Sequence, residues 1–115
     1  MTKLNVTSYN VKGLNNPEKR SKLLAELSRL KSQIIFLQET HFKNDKIPKL
    51  GNRKFPTVYH IASQSTKTNG VSILVSNQVP WKECKTVKDE TGRLLIVIGL
   101  LLRSKGHTGK LVFAK

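Results

Sequence analysis

Four consecutive apolar residues, Ile34-Ile35-Phe36-Leu37, leave this chain few possible architectures. The run is too short for a helix after the Ser32-Gln33 break, and it puts apolar side chains on both faces of an extended segment, as in a strand buried on both sides. Before it, Leu23, Leu24, Leu27 and Leu30 recur at helical spacing among Lys and Arg such as Lys22, Arg29 and Lys31, while Asn16 suits an N-cap and Pro17 the first helical position. An amphipathic helix to about Lys31 follows from that pattern. Earlier still, Leu4, Val6 and Ser8 alternate with Asn5, Thr7 and Tyr9, and this strand stops ahead of Gly13 and the Asn15-Asn16-Pro17 turn. Strand, helix, strand in this order implies a crossover unit with two parallel strands. Asn10 then sits at the carboxyl end of the first strand and Gln38-Glu39-Thr40-His41 at that of the second, the end where open α/β sheets place their ligands.

The remainder reads as loops and antiparallel strands. Between Phe42 and Pro56 lie Lys43, Lys46, Lys49, Arg53 and Lys54 against Asp45 alone, broken by Pro48 and Gly51, which describes an exposed basic loop. Residues 57–62 and 71–76 form a hairpin-like pair of strands, with a turn signal at Asn69-Gly70. Residues 81–87 are a weaker strand, and 93–102 a strong one that opens after an Asp89-Glu90-Thr91-Gly92 turn and pairs with 111–114. The expected fold class is α/β, a sheet-centred sandwich with a mixed sheet in a single unit of residues 1–115. Because Leu111 to Lys115 ends on a core-like strand, the unit reads as truncated.

Charge then narrows the partner. Twenty-one Lys and Arg against seven Asp and Glu give +14 on 115 residues, far beyond what solubility requires. Nucleic acid is the polyanion expected first, since Lys and Arg contacts to phosphate release counterions and supply most non-specific affinity. No membrane partner is expected: no stretch approaches the roughly 20 apolar residues of a span, and no segment joins a basic face to a broad aromatic one. Cys84 is the single cysteine, so neither a disulfide nor a paired-cysteine zinc site can form within the chain, and no disulfide-linked partner is expected. A reducing compartment, nucleus or cytoplasm, fits that usage.

Parallel strands joined by one helix can bring Asn10 and Glu39 to a common cleft. Mg²⁺ keeps much of its hydration and accepts few protein ligands, so one carboxylate with waters and substrate phosphates can hold it. Glu39 is therefore either a metal ligand or a solvated carboxylate past a strand, and Asn10 either part of that site or a turn-stabilising Asx residue. In an extended segment His41 projects on the same side as Glu39, where it touches substrate phosphate or caps the loop. Lys12, Lys43, Lys46 and Lys67 are candidates for nucleic-acid backbone contacts against a background of solvated surface. His60, inside an apolar strand pattern, reads as structural, His107 as a loop residue, and Trp81 and Cys84 as packing residues.

The stretches Ser8-Tyr9-Asn10-Val11-Lys12-Gly13-Leu14-Asn15 and Ile35-Phe36-Leu37-Gln38-Glu39-Thr40-His41 resemble the first two signature motifs of the apurinic endonuclease/exonuclease III/DNase I group within the endonuclease/exonuclease/phosphatase superfamily. Asn69 to Val75 is similar to a third conserved strand, and Asp89-Glu90-Thr91-Gly92-Arg93 to the turn that opens the next. The Gln-Glu-Thr-His form looks most like the endonuclease domain of LINE-type retrotransposons. The resemblance implies the amino-terminal half of a DNase I-like four-layer α/β sandwich. It also implies a phosphodiesterase that nicks DNA with Mg²⁺ or Mn²⁺, in which Asn10 orients the reacting groups and shares the metal site, and Glu39 binds the ion. The family's activating Asp, its Asn partner and its closing Ser-Asp-His motif have no match here, so the chain is expected to be inactive alone. The alternative is a non-catalytic basic fragment that binds nucleic acid.

Overall fold

The computed structural model of the chain describes residues 5–42, 47–62, 69–88, 94–102 and 108–114, with side chains up to Leu100. The crossover is as expected: β1 (Val6–Asn10) leads through α1 (Pro17–Arg29) into β2 (Ile34–Gln38), and the two strands pair in parallel with Val6 opposite Ile34 and Asn10 opposite Gln38. The helix starts where its sequence says it should, with the Asn16 carbonyl oxygen Oδ1 accepting from Glu18 N (2.8 Å) and Lys19 N (3.3 Å) and Pro17 following at once. It ends at Leu30, which caps it in extended conformation and is exposed instead of joining Leu23 and Leu27 in the core. Lys54 closes that end, its ammonium donating to Ser28 O at 2.6 Å and Leu30 O at 3.2 Å.

β3 (Thr57–Ile61) and β4 (Val71–Val75) complete the first sheet in the order β1-β2-β4-β3. β4 runs antiparallel to both neighbours, so the sheet is mixed and β3 and β4 are the expected pair. Its two central strands are the apolar segments Ile34 to Leu37 and Val71 to Val75, the second interrupted only by the buried Ser72, and both present apolar side chains to either face. One face carries Ile35, Leu37 and Leu74 against Leu23 and Leu27 of α1 and against Phe42, Leu50 and Phe55 of the following loop. The other carries Ile34, Ile61, Val71, Ile73 and Val75 against Leu95 and Val97.

Those last two residues belong to a second sheet. β5 (Trp81–Lys88), β6 (Leu95–Leu102) and β7 (Thr108–Ala114) form an antiparallel meander in the order β5-β6-β7, which confirms the expected pairing of the last two strands. Helix, mixed sheet and antiparallel sheet are stacked as three layers. Trp81 packs at the sheet-to-sheet junction and donates from Nε1 to the Tyr59 hydroxyl at 2.8 Å, whereas Cys84, expected to pack, is free and exposed beside a bulge between Glu83 and Lys85. His60 is structural, as its setting in β3 suggested: Nδ1 lies 2.6 Å from the buried Ser72 hydroxyl and its ring meets Phe42 edge-on. Among the described residues no helix is long and apolar enough to cross a membrane.

Candidate metal and nucleic-acid site

Hydrogen bonds zip the two parallel strand ends together beyond the strands themselves. Val11 N donates to Gln38 O (3.0 Å), Gly13 N to Glu39 O (2.7 Å) and Leu14 N to Thr40 O (2.8 Å). On the opposite side Thr40 N donates to Gly70 O (3.2 Å) and His41 N to Asn69 O (3.0 Å). The Glu39 to His41 segment is thus clamped between two backbones, and it follows both by leaving extended geometry: Glu39 has φ 55° and His41 φ 61°. Lys12 (φ 50°) is the other non-glycine in the left-handed region among the described residues, so all such residues flank one point. Left-handed backbone is unfavourable for side chains other than Gly, Asn or Asp, and its concentration at a strand-end cleft is typical of sites where geometry matters more than local stability.

Asn10 and Glu39 meet at that point. The Asn10 side-chain amide donates from Nδ2 to Glu39 Oε2, and its carbonyl Oδ1 accepts from Lys12 N at 3.0 Å. The Asn10 amide is thus held against one oxygen of Glu39, whose side chain is 47% exposed. His41 does reach the same side as Glu39, although by left-handed turns and not by the alternation of an extended segment: its Nε2 lies 3.7 Å from Glu39 Oε1. That is too long for a hydrogen bond, and Nε2 is buried with no hydrogen-bond partner. Its ring rests against Gly13, where a Cβ would come 3.0 Å from Nδ1. A free carboxylate oxygen and an orphaned imidazole nitrogen turned toward each other fit a divalent ion; among the described residues no cluster of three or more acidic, His or Cys groups does.

Sequence reasoning missed the supports of this site. Lys19 donates to Val11 O (2.7 Å) and Lys12 O (3.4 Å), and Arg20 to Leu14 O (3.0 Å) and Asn15 O (2.9 Å), so two cations that look like the solvent face of α1 hold the loop after Asn10. Asn15 donates from Nδ2 to His41 O at 2.7 Å. The Asn69-Gly70 turn signal has a different use as well. Gly70, at φ 126°, leaves its missing side chain's place to the Thr40 hydroxyl, which is itself buried without a partner. Among the lysines proposed for phosphate contact, Lys12 is exposed beside Asn10, while Lys43, Lys46 and Lys67 lie outside the described residues, as do Asp89 to Arg93 and His107.

Comparison with known proteins agrees with this fold. The fold is similar to the crystal structure of the Xenopus laevis APE2 catalytic domain, with a TM-score of 0.68 at 16% sequence identity over 95% of this chain and 43% of that one. The chain thus spans less than half the length of that relative and shares its DNase I-like fold, of which the helix layer and the two sheets are seen here. Residues 7–113 match the Endonuclease/Exonuclease/phosphatase family, a span that contains both strand ends of the site and every described element but the first residue of β1 and the last of β7. With the mixed sheet, the strand-end pair and the match over nearly its whole length in agreement, the chain belongs to the endonuclease/exonuclease/phosphatase family.

Proposed function

We propose that this chain carries the metal-anchoring part of a divalent-metal-dependent phosphodiesterase that nicks DNA, of the LINE-type retrotransposon branch, working in the nucleus or cytoplasm. The observation that supports it best is the Asn10–Glu39 pair: a carboxylate oriented by an amide at the carboxyl ends of neighbouring parallel strands, with one oxygen left free. Bound there, Mg²⁺ or Mn²⁺ would supply Lewis-acid polarisation of the scissile phosphate and charge for the leaving oxygen. The chain's own part is to fix Glu39 through Asn10, to fix Asn10 through Lys12 N, and to offer Lys12 to the nucleic-acid backbone. Activating the attacking water needs a second carboxylate, and the other described ones belong to other elements, Glu18 and Glu26 to α1 and Glu83 to β5. Purified alone, the 115 residues should therefore nick supercoiled plasmid in Mg²⁺ no faster than background, and addition of a matching carboxyl-terminal half should restore nicking that Glu39→Ala abolishes. Brisk nicking by the chain on its own would show that the essential groups are misassigned.

The +14 charge favours one further reading, a basic fragment that binds nucleic acid without chemistry. Reconstituted nicking that depends on Glu39 separates the two.

A further inference from the structure

We propose that His41 Nε2 is a ligand of the same ion as Glu39 Oε1, so that this is a mixed nitrogen and oxygen site which favours a transition metal such as Mn²⁺ over Mg²⁺. The inference rests on the reading of Glu39 as a metal ligand. The two oxygens of Glu39 are not equivalent: Oε2 accepts from Asn10, and Oε1 is turned to His41. Across a 3.7 Å gap stands an imidazole nitrogen that is buried, makes no hydrogen bond and is only a quarter exposed as a side chain. Leaving a buried polar nitrogen unpaired costs free energy, and the surroundings pin it in that position instead of releasing it. Asn15 holds the His41 carbonyl, Asn69 receives its N–H, its backbone sits at φ 61°, and Gly13 makes room for the ring.

An imidazole nitrogen and a carboxylate oxygen at this separation are close enough to be ligands of one first-row metal ion. A hydrogen bond would need the gap to shrink; a shared ion does not. Hard Mg²⁺ gains little from imidazole, whereas Mn²⁺ and the later first-row ions accept nitrogen readily. Ligation through Nε2 requires the ring proton to be on Nδ1, which leaves the Nε2 lone pair facing Glu39.

The test uses the 115-residue chain and the metals alone, with binding followed by electron paramagnetic resonance of Mn²⁺ and by Mg²⁺ competition. His41→Asn is the informative variant, since Asn tolerates the left-handed backbone and circular dichroism can establish that it folds. Wild-type Mn²⁺ should show spin-echo modulation from a directly bonded ¹⁴N that His41→Asn removes, and the preference for Mn²⁺ over Mg²⁺ should fall by roughly tenfold in that variant. Glu39→Ala should abolish binding of both ions. Mn²⁺ bound through Glu39 without nitrogen coupling, or a preference that His41→Asn leaves unchanged, would overturn the role of His41 while leaving that of Glu39 intact. Binding that survives Glu39→Ala would overturn the reading of Glu39 itself, and a wild-type chain that binds neither ion would overturn both.

Discussion

At the scale of single residues, the site is built by denying side chains their easy conformations. Gly70 shows the cost. Any Cβ there would occupy the place of the Thr40 hydroxyl, and φ 126° is closed to side chains in any case, so Gly70→Ala must move Thr40 or the 69–70 backbone that receives Thr40 N and His41 N. Urea denaturation should register a loss of about 2 to 3 kcal/mol, and Mn²⁺ affinity should fall with it because Glu39 and His41 share that clamp; unchanged stability would refute the fit. His60 offers a separate check on the fold. Burial, with a smaller contribution from the nearby Lys88 charge, lowers its pKa from 6.5 to about 4, so it is neutral when folded and gains a proton more readily when unfolded. For a base depressed in this way the stabilisation is complete above pH 6.5 and is lost as pH falls toward 4, amounting to about 3 kcal/mol at most. Stability measured at pH 7 and pH 4.5 should differ by much of that in the wild type, and His60→Gln should remove this component of the difference.

Elements show why some parts of this fold could be read from sequence and others could not. Lys54 lies 24 residues from Leu30 in sequence yet closes the carboxyl end of α1, where its ammonium meets bare carbonyls at the negative end of the helix dipole. Lys54→Gln should cost up to about 1 kcal/mol of stability, visible as a lowered thermal midpoint, more than expected for a solvated loop lysine; an unchanged midpoint would return it to the surface charge. Nothing local marks Lys54 out from Lys49 or Arg53, because the partner is a distant main chain with no side-chain signature. The same holds for Lys19 and Arg20 on the loop after Asn10. The legible features are the ones written in nearest-neighbour chemistry: Asn16-Pro17 starts the helix, and the apolar segments 34–37 and 71–75 become central strands of the mixed sheet as 95–102 becomes the central strand of the other, each being apolar on both faces. Asn10 and Glu39 belong with these, for a strand end is a local property and parallel pairing brings two such ends together. The positive φ values at Lys12, Glu39 and His41 were not legible, as nothing in the identity of a Lys, Glu or His announces left-handed backbone; the extended spacing that put His41 beside Glu39 reached the right neighbour by the wrong path.

For the whole molecule the question is how much of the +14 charge reaches a polyanion. Lys19, Arg20 and Lys54 are spent on the protein's own carbonyls, whereas Lys12 stays exposed at the carboxyl strand ends, Lys49 and Arg53 in the loop before β3, and Lys82, Lys85 and Lys88 on β5. One duplex cannot cover α1, the strand ends and β5 at once, so only a fraction of the cations can meet phosphate together. If about four to six do, the logarithm of the binding constant should fall with the logarithm of salt at a slope of roughly −4 to −5, with little preference for sequence, since phosphate contacts position a protein without reading bases. The slope separates the roles argued above. Glu39→Ala should leave it nearly unchanged, because the loss of one carboxylate alters metal occupancy and not the number of cations on phosphate. Neutralising Lys43, Lys46 and Lys49 together should flatten it by up to about three, the most that three contacts can carry, while Lys54→Gln should change stability and spare the slope. Fluorescence anisotropy of a labelled duplex across a salt series, with and without Mg²⁺, measures all of these; binding indifferent to salt would refute the electrostatic account of this composition, and a slope lowered by Lys54→Gln would show that this ammonium leaves the helix end for DNA.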